Sequence, residues 1–185
     1  MSNGQIMLPY TIKAGINSND YPVVVAGTQS LGPSTAADDS YWWYFLDNST
    51  QKLVYQLLVP GSSNTSVPAG IDAYMSNPDL LFGIVTQSLS SLHLPQGALF
   101  NYLVNYGAGD GLLMLEQANA ALGCGYLGQI AYILIGQGGP RGGTFTPPSY
   151  DEGSIFTASV LEVSLASQMN GQPPYSIVDT YTFTP

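Results

Sequence analysis

The sequence predicts a mixed α/β domain: a mixed sheet with two or three helices, extended by a C-terminal β-hairpin. Three observations carry this. Residues 40–47 and 52–59 are rich in aromatic and β-branched residues and flank the polar turn Asn48-Ser49-Thr50-Gln51, as a hairpin requires. Residues 80–86 and 129–135 are continuous apolar runs, the mark of strands buried on both faces. Between them, residues 95–106 and 110–122 carry helix punctuation.

The elements follow in chain order. Residues 1–40 read as strands and loops. The run Tyr21-Pro22-Val23-Val24-Val25-Ala26 opens after a proline, which a strand tolerates at its first position, and Gly27 to Ser34 is rich in turn residues. In the run 40–47, alternation puts Tyr41, Trp43 and Phe45 on one face and Trp42 and Tyr44 on the other. One face must pack on the core. The other offers Trp42 and Tyr44 as candidate ligand-binding residues, because aromatics combine contact area with a polar tip. The competing reading buries both faces.

Residues 60–65 form a Gly/Ser/Asn loop. Residues 67–76 suit a short helix with Pro68 in its first turn, stopped at Asn77-Pro78. The segment 95–106 begins with Pro95 and ends before Gly107. The segment 110–122 has Asp110 as the expected N-cap and Gly123 beyond its end, with Leu112, Leu115, Ala118 and Leu122 on one stripe. Residues 136–153 read as a Gly/Pro-rich loop. Residues 154–165 alternate, Asn170-Gly171 is a turn signal, and residues 175–183 alternate again. This second hairpin puts Tyr175, Ile177, Tyr181 and Phe183 on one face, the candidate interface residues. The chain divides at 1–40, 41–140 and 141–185, expected to fold as one unit.

Charge restricts function sharply. The chain has three basic and twelve acidic residues, a net charge of −9, and 8% charged residues against about 25% in ordinary soluble domains. Its surface must consist of Ser, Thr, Asn, Gln, Gly and Tyr. Three scattered cations (Lys13, Lys52, Arg141) cannot neutralise a nucleic-acid backbone or an anionic membrane surface. No apolar run reaches the length of a membrane-spanning helix, so no membrane insertion is expected. The first residues lack a basic stretch followed by an apolar one. That predicts a cytoplasmic chain, or one exported without a classical signal. One cysteine, Cys124, excludes an internal disulfide and reads as a small buried filler at a helix end.

The middle of the chain has a recognisable order. Tyr44-Phe-Leu-Asp-Asn-Ser-Thr50 turns into Leu53-Val-Tyr55. Ile71-Asp-Ala-Tyr74 precedes the strand Phe82-Gly-Ile-Val-Thr86. A helical stretch with Glu116 and Leu122-Gly123 leads into Ala131-Tyr-Ile-Leu-Ile-Gly136. Over about residues 41–140 this resembles the interleukin-like epithelial–mesenchymal transition inducer domain, also called the FAM3-like domain. The family's paired cysteines are absent, and Gln87-Ser88 replaces its Asp-Asp pair, so no binding residue is carried over. The resemblance implies a compact mixed α/β domain without catalytic activity, of the kind used as signalling or glycan-binding modules.

The catalytic inventory is thin. His93 is the only imidazole, and Ser30 in Gly27-Thr-Gln-Ser-Leu-Gly32 lacks the spacing of a nucleophile elbow. A zinc site needs several His or Cys ligands. Asp38-Asp39 and Asp151-Glu152 are the only adjacent acidic pairs, and neither has calcium-loop spacing, so solvated loop charge is preferred to a calcium site. The stretch 136–143 is Gly-rich but lacks the Gly-Lys-Ser/Thr ending of a phosphate loop. Asn48-Ser-Thr and Asn64-Thr-Ser match the glycosylation pattern as expected by chance in such a composition. The reading is a non-enzymatic structural or interaction protein, without catalytic residues, metal or cofactor. It self-associates into a homo-oligomer through a charge-poor Tyr/Ser/Asn-rich surface. A carbohydrate-binding, lectin-like module is the alternative, and a hydrolase a more remote one.

Overall fold

The computed structural model describes residues 4–18, 21–35, 37–122, 128–141, 146–155 and 157–178. Among them are β1 (Met7–Ala14), β2 (Val23–Ala26), β3 (Gln29–Leu31), β4 (Ser40–Asp47), β5 (Leu53–Pro60), α1 (Asp72–Met75), β6 (Leu80–Gln87) and β7 (Leu89–Ser90). Then follow α2 (Gly97–Asn105), α3 (Asp110–Ala121), β8 (Gln129–Gln137), β9 (Ser149–Ser154), β10 (Ser159–Ala166) and β11 (Ser176–Val178). The fold is mixed α+β and mostly sheet. A five-stranded sheet has the order β11-β10-β1-β2-β3. A six-stranded sheet runs β5-β4-β6-β8, with β7 and β9 also paired to β8. The named strands pair antiparallel, where a mixed sheet was expected; among the described residues the one parallel contact is an isolated bridge between Gly15 and Gln87.

The sheets and helices form three layers. One core lies between the sheets and includes Tyr10, Ile12, Trp42, Tyr44, Leu81, Ile133, Val163 and Leu165. The other lies between the six-stranded sheet and the helices and includes Tyr41, Trp43, Phe45, Phe82, Leu103, Leu115 and Tyr132. The six-stranded sheet is therefore covered on both faces, which is why β4, β6 and β8 read as nearly unbroken apolar runs. The segments 1–40 and 141–185 meet directly: β1 pairs with β10 over eight residues, from Met7↔Ala166 to Ala14↔Ser159.

Local features show how packing completes what propensity begins. Gly83 on β6 lies beneath the Tyr44 ring, and a Cβ there would overlap it. Between Val85↔Ile133 and Leu89↔Ile130 the ladder advances one residue further on the β6–β7 side, and Ser88 takes φ +46°. Thr86 closes the gap, its Oγ1 accepting from the Tyr132 N–H at 2.8 Å.

Several expectations are corrected. The stretch 136–153 is not all loop, since Ser149–Ser154 forms β9 against β8. Tyr-Asp-Glu-Gly is a poor strand former, but the β8 edge supplies a ready ladder. Gly153 and Gly111 also let α3 approach closely: a Cβ on Gly153 would stand 2.6 Å from the Gly111 carbonyl oxygen. The helix expected over 67–76 contracts to Asp72–Met75. Asp110 is the first residue of α3 rather than its N-cap, which is Gly109. The second hairpin forms between β10 and β11, with Ser164↔Val178 as its last pair among the described residues. Cys124, Tyr181 and Phe183 lie outside the described residues. No described helix is long and apolar enough to cross a membrane.

Candidate functional site

Trp42 and Tyr44 do occupy the face of β4 opposite Tyr41, Trp43 and Phe45, as alternation requires. That face is not open. Trp42 is 1% and Tyr44 0% exposed, because the five-stranded sheet covers it. Their polar tips are spent inside the protein. Trp42 Nε1 donates to Gln56 Oε1 at 2.9 Å, and the hydroxyls of Tyr44 and Tyr10 share a hydrogen bond of 2.8 Å. Burial pushes both phenols well above their ordinary range. As candidate ligand-binding residues they are corrected to core residues. The element that hides them is built from the chain's two ends, and nothing local in β4 announces it.

The only histidine does meet a carboxylate. His93 Nδ1 lies 2.7 Å from Asp39 Oδ2. Asp39 Oδ1 accepts from the Ser90 N–H at 2.9 Å, and its carbonyl accepts from the Gly61 N–H at 2.6 Å. Tyr41 donates its hydroxyl to the His93 carbonyl. Asp39 holds φ +53°, a conformation costly for a residue with a Cβ. A side chain on Gly61 would strike it. The pair thus clamps three turns together at one end of the six-stranded sheet. A hydrolytic site would need a nucleophile on the free edge of the imidazole. The Ser90 hydroxyl accepts from the Leu92 N–H instead, at 3.3 Å.

In the second acidic pair Asp151 is equally occupied, while Glu152 is exposed. Asp151 Oδ2 accepts from the Gly109 and Leu112 N–H groups at 2.9 and 3.0 Å, capping α3 from β9. The buried Tyr132 hydroxyl donates to the same oxygen at 3.3 Å, and burial raises that phenol well above its usual range. Among the described residues no three His, Cys, Asp or Glu side chains gather to hold a metal ion. Arg141 in the Gly-rich stretch donates to the Pro147 and Gln137 carbonyls at 3.1 Å each and lies 4.9 Å from the Tyr106 ring centroid. Both glycosylation-pattern asparagines are buried, and their Nδ2 groups donate to the Pro78 and Leu94 carbonyls.

The expected interface hairpin is only partly available. Ile177 is buried in the inter-sheet core, and Tyr175 is half-buried against it, its N–H donating to the Asn48 carbonyl at 2.8 Å. Tyr181 and Phe183 fall outside the described residues. The open surface lies instead along β5. This strand ends the six-stranded sheet and, among the described residues, pairs only with β4. Its sequence, LVYQLLVP, contains no charge. Five of its eight residues are half-buried and Val54 is 52% exposed. Natural edges are usually shortened, charged or covered, because unpaired N–H and C=O groups recruit another chain. Within β5 only Val54, the extra residue opposite the Phe45/Leu46 step of β4, and the terminal Pro60 serve that purpose. Sequence inspection identifies residues 52–59 as a strand but not as an edge, since edge position depends on which strands elsewhere fill the sheet. No family model matches this chain, and no curated protein matches it.

Proposed function

We propose that the protein is a non-enzymatic structural or interaction protein that self-associates through its charge-poor surface. The single observation carrying this reading is the free edge of β5, eight residues long and without a charged side chain. Such an edge is a template for strand addition. The charge-poor exterior adds to it, since polar uncharged side chains cost less to desolvate than ions. The net charge of −9 opposes crowding of copies, so contacts should concentrate where charge is absent. The weak resemblance to a non-catalytic signalling or glycan-binding module belongs to the same reading. The glycan-binding alternative loses Trp42 and Tyr44 as its aromatic anchors.

Size-exclusion chromatography with light scattering, at two salt concentrations and with negative-stain microscopy of the same sample, tests the proposal. A defined oligomer is expected. A 19.6 kDa monomer at every concentration overturns it.

A further inference from the structure

We infer that the partner of β5 is the β5 of a second copy, paired antiparallel about a two-fold axis centred on Leu57. The inference rests on the self-association reading and specifies its geometry. The backbone directions follow from the β4–β5 ladder. The Gly61 N–H donates to the Asp39 carbonyl, and the register continues as Tyr41↔Val59, Trp43↔Leu57 and Phe45↔Tyr55. In an antiparallel ladder, bonded and non-bonded pairs alternate. Val59, Leu57 and Tyr55 therefore bond inward to β4, while Gln56 and Leu58 turn their N–H and C=O groups outward. Pro60 shares that outward orientation and, lacking an N–H, sits where a strand edge tolerates it.

A second β5 can satisfy these groups in one compact register. Gln56 pairs with Leu58 of the second copy and Leu58 with its Gln56, giving roughly four backbone bonds. Pro60 falls opposite Val54, next to the register shift, so the ladder stops where both strands lose regular donors. On the helix-facing side, Leu57 meets Leu57 and Tyr55 meets Val59, pairings that suit a sheet. These side chains already pack against the helix-side core, which would continue across the junction. No like charges face each other along the strand.

Charge also favours this occupant at the ends. The pairing brings the exposed Lys52 of each copy toward the far end of the other's β5. There, Asp38, Asp39, Leu58 and Pro60 line a hollow of about 120 Å³. Asp39 is committed to His93 and Ser90, while the Asp38 side chain is exposed. The apolar walls suit a lysine stem and the Asp38 carboxylate its ammonium group. By symmetry the contact forms twice.

Disulfide trapping tests the register, with Cys124 changed to Ser. In a non-bonded antiparallel pair the Cα atoms stand about 4.5 Å apart, within the range of about 4.4–6.8 Å that a disulfide spans. Leu57→Cys should therefore oxidise to a covalent dimer, while Leu58→Cys, which faces Gln56, should stay mostly monomeric on a denaturing gel. Leu57→Lys should lose the oligomer, because two ammonium groups would face each other. If Leu57→Lys fails to fold, the smaller Leu57→Cys change still decides. An oligomer that survives Leu57→Lys, with no trapping at position 57, overturns the β5 pairing and leaves self-association standing. A monomeric wild-type protein overturns both.

Discussion

The Tyr10–Tyr44 hydroxyl pair offers the sharpest test of the inter-sheet core. Each hydroxyl has the other as its partner, at 2.8 Å, and both residues are fully buried. Changing Tyr10 to Phe removes one hydroxyl and leaves the other in an apolar layer. A buried unsatisfied polar group costs about 1–3 kcal/mol. Either single change, Tyr10→Phe or Tyr44→Phe, should therefore destabilise by about 1.5–2.5 kcal/mol, or roughly 3–10 °C in Tm for a chain of this length. The double variant removes both polar groups and keeps both rings, so it should cost about 1 kcal/mol or less. The double-mutant cycle should show a coupling of about 2–4 kcal/mol. Urea unfolding followed by Trp42 and Trp43 fluorescence, at fixed protein concentration, measures it. Alkali provides an independent reading. Both phenols titrate higher in the folded state, so the unfolded chain loses their protons first. Stability should then fall as pH rises above about 10, by about 1.4 kcal/mol per pH unit for each buried tyrosine, and less steeply in the double variant. Additive single costs, or an unchanged alkaline slope, would refute a sealed tyrosine pair between the sheets.

Two further predictions concern carboxylates in defined roles. Asp151→Ala removes the cap of α3 and strands the Tyr132 hydroxyl, so it should cost about 2–3 kcal/mol, whereas Asp151→Asn, which keeps an acceptor, should cost less; thermal unfolding separates them. Asp47 Oδ1 accepts from the Ser49 and Thr50 N–H groups and the Thr50 hydroxyl at 3.0, 2.7 and 2.9 Å, and these bonds, led by those of Thr50, hold its carboxyl below the usual range. A depressed folded-state value contributes stability above the unfolded value of about 3.9 and loses it as pH falls through the folded one. The stability difference between wild type and Asp47→Asn should thus be full near pH 6 and shrink toward pH 2; a difference that does not change with pH removes the charge from this turn's role.

By itself, the sequence determined which segments are strands and helices wherever the signal is local. The aromatic run of β4, the apolar runs of β6 and β8, and the capped segments that became α2 and α3 were all legible, because their periodicity and punctuation come from their own residues. It also determined which residues share a face of β4, since alternation is a property of the backbone. Only the tertiary structure decided what each face meets. Trp42 and Tyr44 became core because β1 and β10, from opposite ends of the chain, join into a sheet that covers them. Ser149–Ser154 became a strand because β8 had an unfilled edge. Asp151 displaced Asp110 as the cap of α3 through a contact forty residues away in sequence that no local pattern encodes. The open edge of β5 has the same origin. Whether a strand is central or terminal depends on the order of all its neighbours, and that order follows from packing between distant segments rather than from the eight residues of the strand.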